Sequence, residues 1–175
     1  MVVRHTLTVT EIGELCLAAN GDHLTGVYFP SHNPSPAAEQ LGIWVSPADS
    51  ILSAAADQLH EYLAGERTKF ELPLELPAAG FHRQVWDYLS NIAYGHTASY
   101  GEVASALARP RAARAVGTAV AHNPLSIVIP CHRVVAANGN LTGYAGGASV
   151  KRYLLDLESK YCGDGGADLL ASLRH

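Results

Sequence analysis

The chain has little with which to staple itself together. Its 175 residues include three cysteines, at positions 16, 131 and 162, and no C-x-x-C pair. That spacing excludes a disulfide framework and a cysteine zinc site, and it implies a reducing compartment. Long apolar runs are lacking too. The first residues, MVVRHTLTVTEIGE, alternate apolar with polar, so neither a secretory signal nor a membrane span is expected. No repeat or low-complexity tract is present. What remains is an ordinary globular, cytoplasmic protein long enough to bury a core.

Net charge is −4, which alone gives no reason to expect nucleic acid. Its distribution does: the formal charge is −7 over residues 1–80, +4 over residues 81–160 and −1 over residues 161–175. A basic excess in the half that holds Cys131 fits a region that alone meets a polyanion.

Residues 2–29 carry short alternating runs broken at Ile12-Gly13 and at Asn20-Gly21-Asp22, the pattern of an antiparallel meander. SHNPSPAAEQ reads as a loop. Ser46-Pro47-Ala48-Asp49 offers a cap, a proline and an acid, opening a helix whose apolar face is Leu52, Ala55, Ala56, Leu59, Tyr62 and Leu63 and which Gly65 ends. ELPLELPAAG is the expected linker. This organisation predicts an α/β domain over residues 1–78, a second domain over 79–162 and a mobile tail over 163–175.

In the second domain Phe81, Val85, Leu89 and Ile92 make one helical face. Ser99-Tyr100-Gly101-Glu102 is a capping box that starts another helix. RAARAVGTAVAH, from Arg111 to His122, is a third, stopped at Asn123-Pro124. Two short helices across a tight turn suggest helix-turn-helix. Val134 to Ala136 and Leu141 to Tyr144 flank an Asn-Gly turn, which predicts a hairpin wing. Ser149 is the expected cap of a last helix with Val150, Leu154 and Leu157 turned inward.

The Arg111–His122 helix is nearly bare, with Ala112, Ala113, Ala115, Gly117 and Ala119 and one central long side chain, Arg114. A minor groove about 6 Å wide admits a helix about 10–12 Å across only if the helix is stripped and the duplex widened. Close packing of an Ala-rich helix against neighbours is the competing reading.

IVIPCHRV, residues 127–134, sets Cys131 beside His132 and behind Pro130. A half-built metal site, a buried thiol and a reacting cysteine all compete here. Adjacent residues are too close for ordinary zinc ligands. Pro130 at the first position of a helical turn would set the sulfur near free amides that favour thiolate. A histidine base is best oriented by a carboxylate, for which Glu158, Asp156 and Glu102 are candidates. Cys16 and Cys162 read as ordinary small apolar groups.

SYGEVA, AARAVG, NP, IPCHRVV, GNLTGYAGG and LLDLE, in this order across residues 99–158, resemble the methylated-DNA-protein-cysteine methyltransferases, or O6-alkylguanine-DNA alkyltransferases. The likeness spans about 80 residues from Phe81. It implies an α+β fold: a small ribonuclease-H-like antiparallel-sheet domain, then a winged helix-turn-helix domain. It implies a monomer, able to cluster, on the minor groove of double-stranded DNA that bears O6-alkylguanine, with no membrane and no cofactor.

The resemblance also implies roles. Cys131 takes the alkyl group irreversibly from a flipped guanine, a base that must leave the stack to be reached. His132 draws the thiol proton through a water and Glu158 orients it. Tyr100 donates to guanine N3, Arg114 fills the vacated stack, and Asn123 braces the hinge before the active-site turn. The carbonyls of Cys131 and Val134 accept from the guanine amino group, and the amide of Ala145, beside Tyr144, meets O6.

This sequence departs from the family at Ala145, where some members carry Ser, and at Ser126, where some carry a proline that packs on bulky alkyl groups. Cys16, His5 and His23 do not match the zinc ligands of some members, so no metal is expected. A non-catalytic damage-binding module and a cysteine hydrolase are the alternatives. Cys131 argues against the first, and no oxyanion donors are discernible for the second.

Overall fold

The structure, a computed structural model, describes residues 1–77, 79–141 and 143–162. The expected tail, residues 163–175, lies outside the described residues. The chain divides into two units: Met1–Pro77 with Pro124–Val128, and the remainder.

In the first unit the alternating runs become β1 (Val3–Thr10), β2 (Gly13–Asn20) and β3 (His23–Tyr28), an antiparallel meander as expected. Leu15, Leu17 and Ala19 of β2 are fully buried, and each such leucine contributes about 1.5–3 kcal/mol. After a short helix, α1 (Ala38–Leu41), strand β4 (Ile43–Trp44) adds to β1 in parallel and gives the order β3-β2-β1-β4.

Helix α2 (Ser50–Leu63) packs on the sheet through Ile51, Leu52, Ala55, Leu59, Tyr62 and Leu63. Its cap is Asp49, which accepts from the Leu52 amide, rather than Ser46. The same Asp49 carboxylate holds Arg4 of β1, Nε to Oδ2 at 2.6 Å. The expected linker is also partly structured. The Leu24 amide donates to Pro73 O at 2.8 Å and the Glu75 amide to Leu24 O at 3.0 Å, so residues 73–75 lie along β3.

Pro124–Val128 belongs to this unit by the same device: the Val27 amide donates to Pro124 O at 2.8 Å and the Ser126 amide to Val27 O at 3.3 Å. Ile127 there has φ 72° and is 1 % exposed. A β-branched residue in the left-handed region costs about 1–3 kcal/mol, so surrounding contacts must hold it.

The second unit comprises α3 (Phe81–Leu89), β5 (Ala98–Ser99), α4 (Tyr100–Ala106), α5 (Ala113–Ala121), a 3-10 turn (Cys131–Arg133), β6 (Val134–Val135) and α6 (Ala148–Tyr161). Val85, Trp86 and Leu89 of α3 and Val116, Ala119 and Val120 of α5 are buried, and Trp86 Nε1 donates to Ala119 O at 2.8 Å. The capping box forms as written: Ser99 Oγ accepts from the Glu102 amide and Glu102 accepts from the Ser99 amide. With α5 following α4 across a short turn, the sheet-then-helices α+β architecture is as expected.

Four local expectations are corrected. Helix α5 starts at Ala113, not Arg111, with Ala112 as its cap residue. The Asn-Gly turn exists, with the Gly139 amide donating to Ala136 O at 2.9 Å and the Ala136 amide to Asn140 O at 3.4 Å, but among the described residues no strand pairs with Val134 and Val135 across it. Val134 and Val135 pair in parallel with Ala98 and Ser99 instead, and no strand occurs among the described residues of 141–144. The cap of α6 is Gly147, φ 86°, rather than Ser149. Its buried stripe is Lys151, Leu154, Leu155 and Glu158 in place of Val150, Leu154 and Leu157. A hydrophobicity pattern cannot show that a lysine and a glutamate face inward, because their partners come from elsewhere in the chain.

Candidate active site

Cys131 opens the 3-10 turn, with Pro130 as its cap residue rather than its first position. The Cys131 amide donates to Ile129 O at 2.7 Å and the Arg133 amide to Pro130 O at 3.0 Å, while the Val134 amide closes on Cys131 O. These donors are therefore already engaged, and a three-residue turn supplies little of the expected amide field for a thiolate. Nor is the sulfur uncrowded: Cys131 is 1 % exposed and His132 is fully buried.

Of the three candidate carboxylates the structure selects Glu158, which comes from α6. His132 Nε2 lies 2.8 Å from its Oε1; Asp156 is exposed and Glu102 is spent on its cap. Arg133 is part of the scaffold. Its Nη2 donates to Glu158 Oε1 at 2.7 Å, its Nε to Oε2 at 2.9 Å and its Nη1 to Ile92 O at 2.6 Å, and it lies over the Tyr94 ring. The Gly95 amide also donates to Glu158 Oε2, at 3.0 Å.

Burial alone would raise the Glu158 carboxyl, but His132 and Arg133 outweigh it and hold it far below the usual carboxylate range. Glu158 is thus an anion that only accepts, and His132 Nε2 must carry the proton that faces it. The neutral ring then keeps Nδ1 as its accepting nitrogen. Burial depresses the imidazole, Glu158 pulls it up, and Arg133 and Lys151 push it down, for a net lowering.

Tyr100, Tyr144 and Lys151 all have Cys131 as an electrostatic neighbour. Burial, then Cys131, raises both phenols, so each remains a protonated donor at neutral pH. Lys151 Nζ donates to Val134 O. Asn123, 1 % exposed, donates from Nδ2 to Ile129 O at 2.9 Å and so ties the end of α5 to the residue two before the cysteine. Tyr144 is buried and Ala145 half-buried.

On α5 the exposed side chains are Arg114, Ala115 and Thr118, while Ala112, Ala113 and Gly117 are half-buried. Gly117 faces the Tyr100 ring, where a Cβ would stand 3.8 Å from Cε1. Of the small residues predicted to face DNA, Ala115 is thus exposed and Ala112, Ala113 and Gly117 are half-buried, while Ala119 of the same helix is buried.

Sequence reading missed Lys151 and Gly95. A lysine in the first turn of an amphipathic helix and a glycine in a loop carry no local sign of such use. Among the described residues no group of three or more His, Cys, Asp or Glu could hold a metal ion.

Residues 3–76 match the ribonuclease-like domain of 6-O-methylguanine DNA methyltransferase, and residues 80–160 match the DNA binding domain of the same family. The methylated-DNA–protein-cysteine methyltransferase of Mycobacterium tuberculosis is 46% identical over 147 residues, 84% of this chain and 87% of its own. The chain belongs to the 6-O-methylguanine DNA methyltransferase family.

Its methyltransferase relatives extend well beyond the mycobacteria: the constitutive Bacillus subtilis protein is 39% identical over 155 residues, 88% of this chain and 94% of its own. The crystal structure of the M. tuberculosis O6-methylguanine methyltransferase superposes with a TM-score of 0.81 at 43% identity, over 91% of this chain and 94% of that one. The M. tuberculosis OGT in complex with DNA superposes with a TM-score of 0.77 at 41% identity, over 91% and 93%. No helix among the described residues is long and apolar enough to cross a membrane.

Proposed function

We propose that this protein repairs DNA by direct reversal, with Cys131 taking the alkyl group from O6 of guanine in a single, irreversible turnover. The observation that carries the reading is the buried sequence Cys131, His132, Glu158: a thiol beside an imidazole whose far nitrogen is bonded to a carboxylate at 2.8 Å, in a chain of this family. In the transfer the thiol proton passes to His132, the sulfur forms a bond to the alkyl carbon, and the bond from that carbon to O6 breaks. The leaving purine takes a proton from Tyr100, whose protonated phenol has Cys131 as an electrostatic neighbour.

A base inside a duplex cannot present its O6 substituent to a buried sulfur, so the guanine must be everted. The protein acts as a monomer, with α5 entering the minor groove, Arg114 occupying the vacated stack and the half-buried Ala112, Ala113 and Gly117 allowing close approach. The Val134 carbonyl retains a second lone pair beside the Lys151 bond, with which it accepts from the guanine amino group, as Cys131 O does. The Ala145 amide meets O6. The buried hydroxyl of Ser126 finds no hydrogen-bond partner among the described residues.

The test is to incubate the protein with duplex oligonucleotide containing O6-methylguanine, digest it and weigh the peptide that holds Cys131. A gain of one methyl on that peptide, absent in Cys131→Ser, supports the reading. Binding without methyl transfer would leave the non-catalytic damage-binding module.

A further inference from the structure

The mechanism above uses His132 and Glu158 but gives no task to the cation that shares the carboxylate. Arg133 follows His132 in the same 3-10 turn, yet its guanidinium turns back to Glu158 and contacts both oxygens, with Nε at 2.9 Å from Oε2 and Nη2 at 2.7 Å from Oε1. The imidazole Nε2 shares that Oε1, at 2.8 Å. Cation and imidazole therefore compete for one anion, in a place where Glu158 is 1 % exposed and Arg133 is 7 % exposed.

The consequence follows from the chemistry of such pairs. A histidine bonded to a lone buried carboxylate is driven toward imidazolium, because the anion rewards the second proton. Imidazolium has no lone pair and cannot accept the proton of a thiol. A permanent cation on the same carboxylate cancels much of that pull while leaving the carboxylate free to orient the ring.

We infer that Arg133 is a positioning residue for alkyl transfer: by sharing Glu158 with His132 it keeps the imidazole neutral, Nε2–H toward the carboxylate and Nδ1 able to accept. Its own placement is secured away from the turn, by the Ile92 carbonyl at 2.6 Å and the face of the Tyr94 ring. The Gly95 amide fixes the other side of Glu158 at 3.0 Å.

The remaining charged and titratable groups around this pair are few. Lys151 and Glu158 come from α6, Cys131 from the turn, Tyr94 from the segment after α3, Tyr100 from α4 and Tyr144 from the segment before α6. The phenols are neutral, Lys151 acts in the same direction as Arg133, and Glu158 is the anion that opposes both. The inference relies on the transferase reading for its consequence in catalysis, but not for the titration of His132.

Two measurements test it. In single-turnover methyl transfer, Arg133→Gln should move the acid limb of the rate profile up by at least about one pH unit. Arg133→Lys, which keeps the charge but cannot form the fork, should fall between Arg133→Gln and the wild type. In ¹³C-histidine-labelled Cys131→Ser protein without DNA, the His132 resonance should titrate at higher pH when Arg133 is replaced.

A scaffold role alone would lower the rate by the same factor at every pH and leave the His132 titration where it was, and that result overturns the inference. If Arg133→Gln does not fold, Arg133→Met, which also removes the charge, decides: an unshifted His132 titration in that variant overturns it equally. Failure of the wild type to accept methyl would instead sink the transferase reading and leave the titration as the test of the pairing.

Discussion

Lys151, 1 % exposed at the start of α6, donates its Nζ to the backbone carbonyl of Val134, the residue that closes the turn bearing Cys131. A helix 14 residues long thereby reaches the active-site turn twice from one face, about two turns apart, through Lys151 and through Glu158. The two contacts carry opposite charges, and their energetics are separable.

Burial lowers the Lys151 ammonium to about 8, against 10.5 for the unperturbed group, with Cys131 opposing that shift. Between these values the unfolded chain holds the proton more tightly than the native one, so stability rises with pH across that window. The full depression is worth roughly 3 kcal/mol. Urea midpoints measured at pH 8 and pH 10 should increase in the wild type, and Lys151→Met should remove most of the increase.

Glu158 behaves with the opposite sign. Its carboxyl, against an ordinary value of 4.5, is held far lower in the fold despite burial, by His132 and Arg133. Its contribution is present above pH 4.5 and is lost as pH falls toward the folded value. Glu158→Gln should cost about 3–5 kcal/mol at pH 7, because it strips a buried cation of its partner, and should flatten the decline in urea midpoint between pH 5 and pH 3.

Gly95 is required twice over. It has φ 78°, and a Cβ built there would stand 2.2 Å from Cys162 Sγ. Gly95→Ala should destabilise the protein by about 1–3 kcal/mol. Adding Cys162→Ala should recover only a fraction of the steric part, because the Cys162 Cβ would still stand 2.5 Å away, and none of the backbone part, which a double-mutant cycle of urea midpoints would show as a partial coupling.

Tyr100 has a phenol raised by burial and by Cys131. Tyr100→Phe removes the donor and keeps the ring that packs on Gly117. Single-turnover transfer should slow by about 10²-fold or more while affinity for the alkylated duplex changes little; equal losses in both would make Tyr100 a DNA contact and no donor.

Arg114 is the exposed cation in the middle of α5. Arg114→Ala should weaken binding to duplex DNA. If the guanidinium enters the stack and touches no phosphate, the slope of log K against log salt stays as in the wild type; loss of a phosphate contact would reduce it by about 1.

Much of the site was legible because it is written in short segments. A capping box, a proline-flanked Cys-His pair and an Asn-Pro stop are local in sequence, and each formed where its residues stood: Ser99 and Glu102 cap α4, and Asn123 ends α5 and holds Ile129. The strand pairing of Val134 and Val135 was misread because they had two possible partners. The short Asn-Gly turn favours the near strand, yet Ala98 and Ser99, some 36 residues earlier, took the hydrogen bonds.

The sequence by itself determined which groups are available: one thiol next to one imidazole, a basic second half, a nearly bare helix and a meander of alternating strands. Tertiary structure alone decided which carboxylate meets the imidazole, that Arg133 is shared with it, and that Lys151 faces inward. Composition and periodicity report local preference and average burial. A buried charge is tolerated only where an opposite partner arrives from a distant element, and that pairing exists only once the chain has closed on itself.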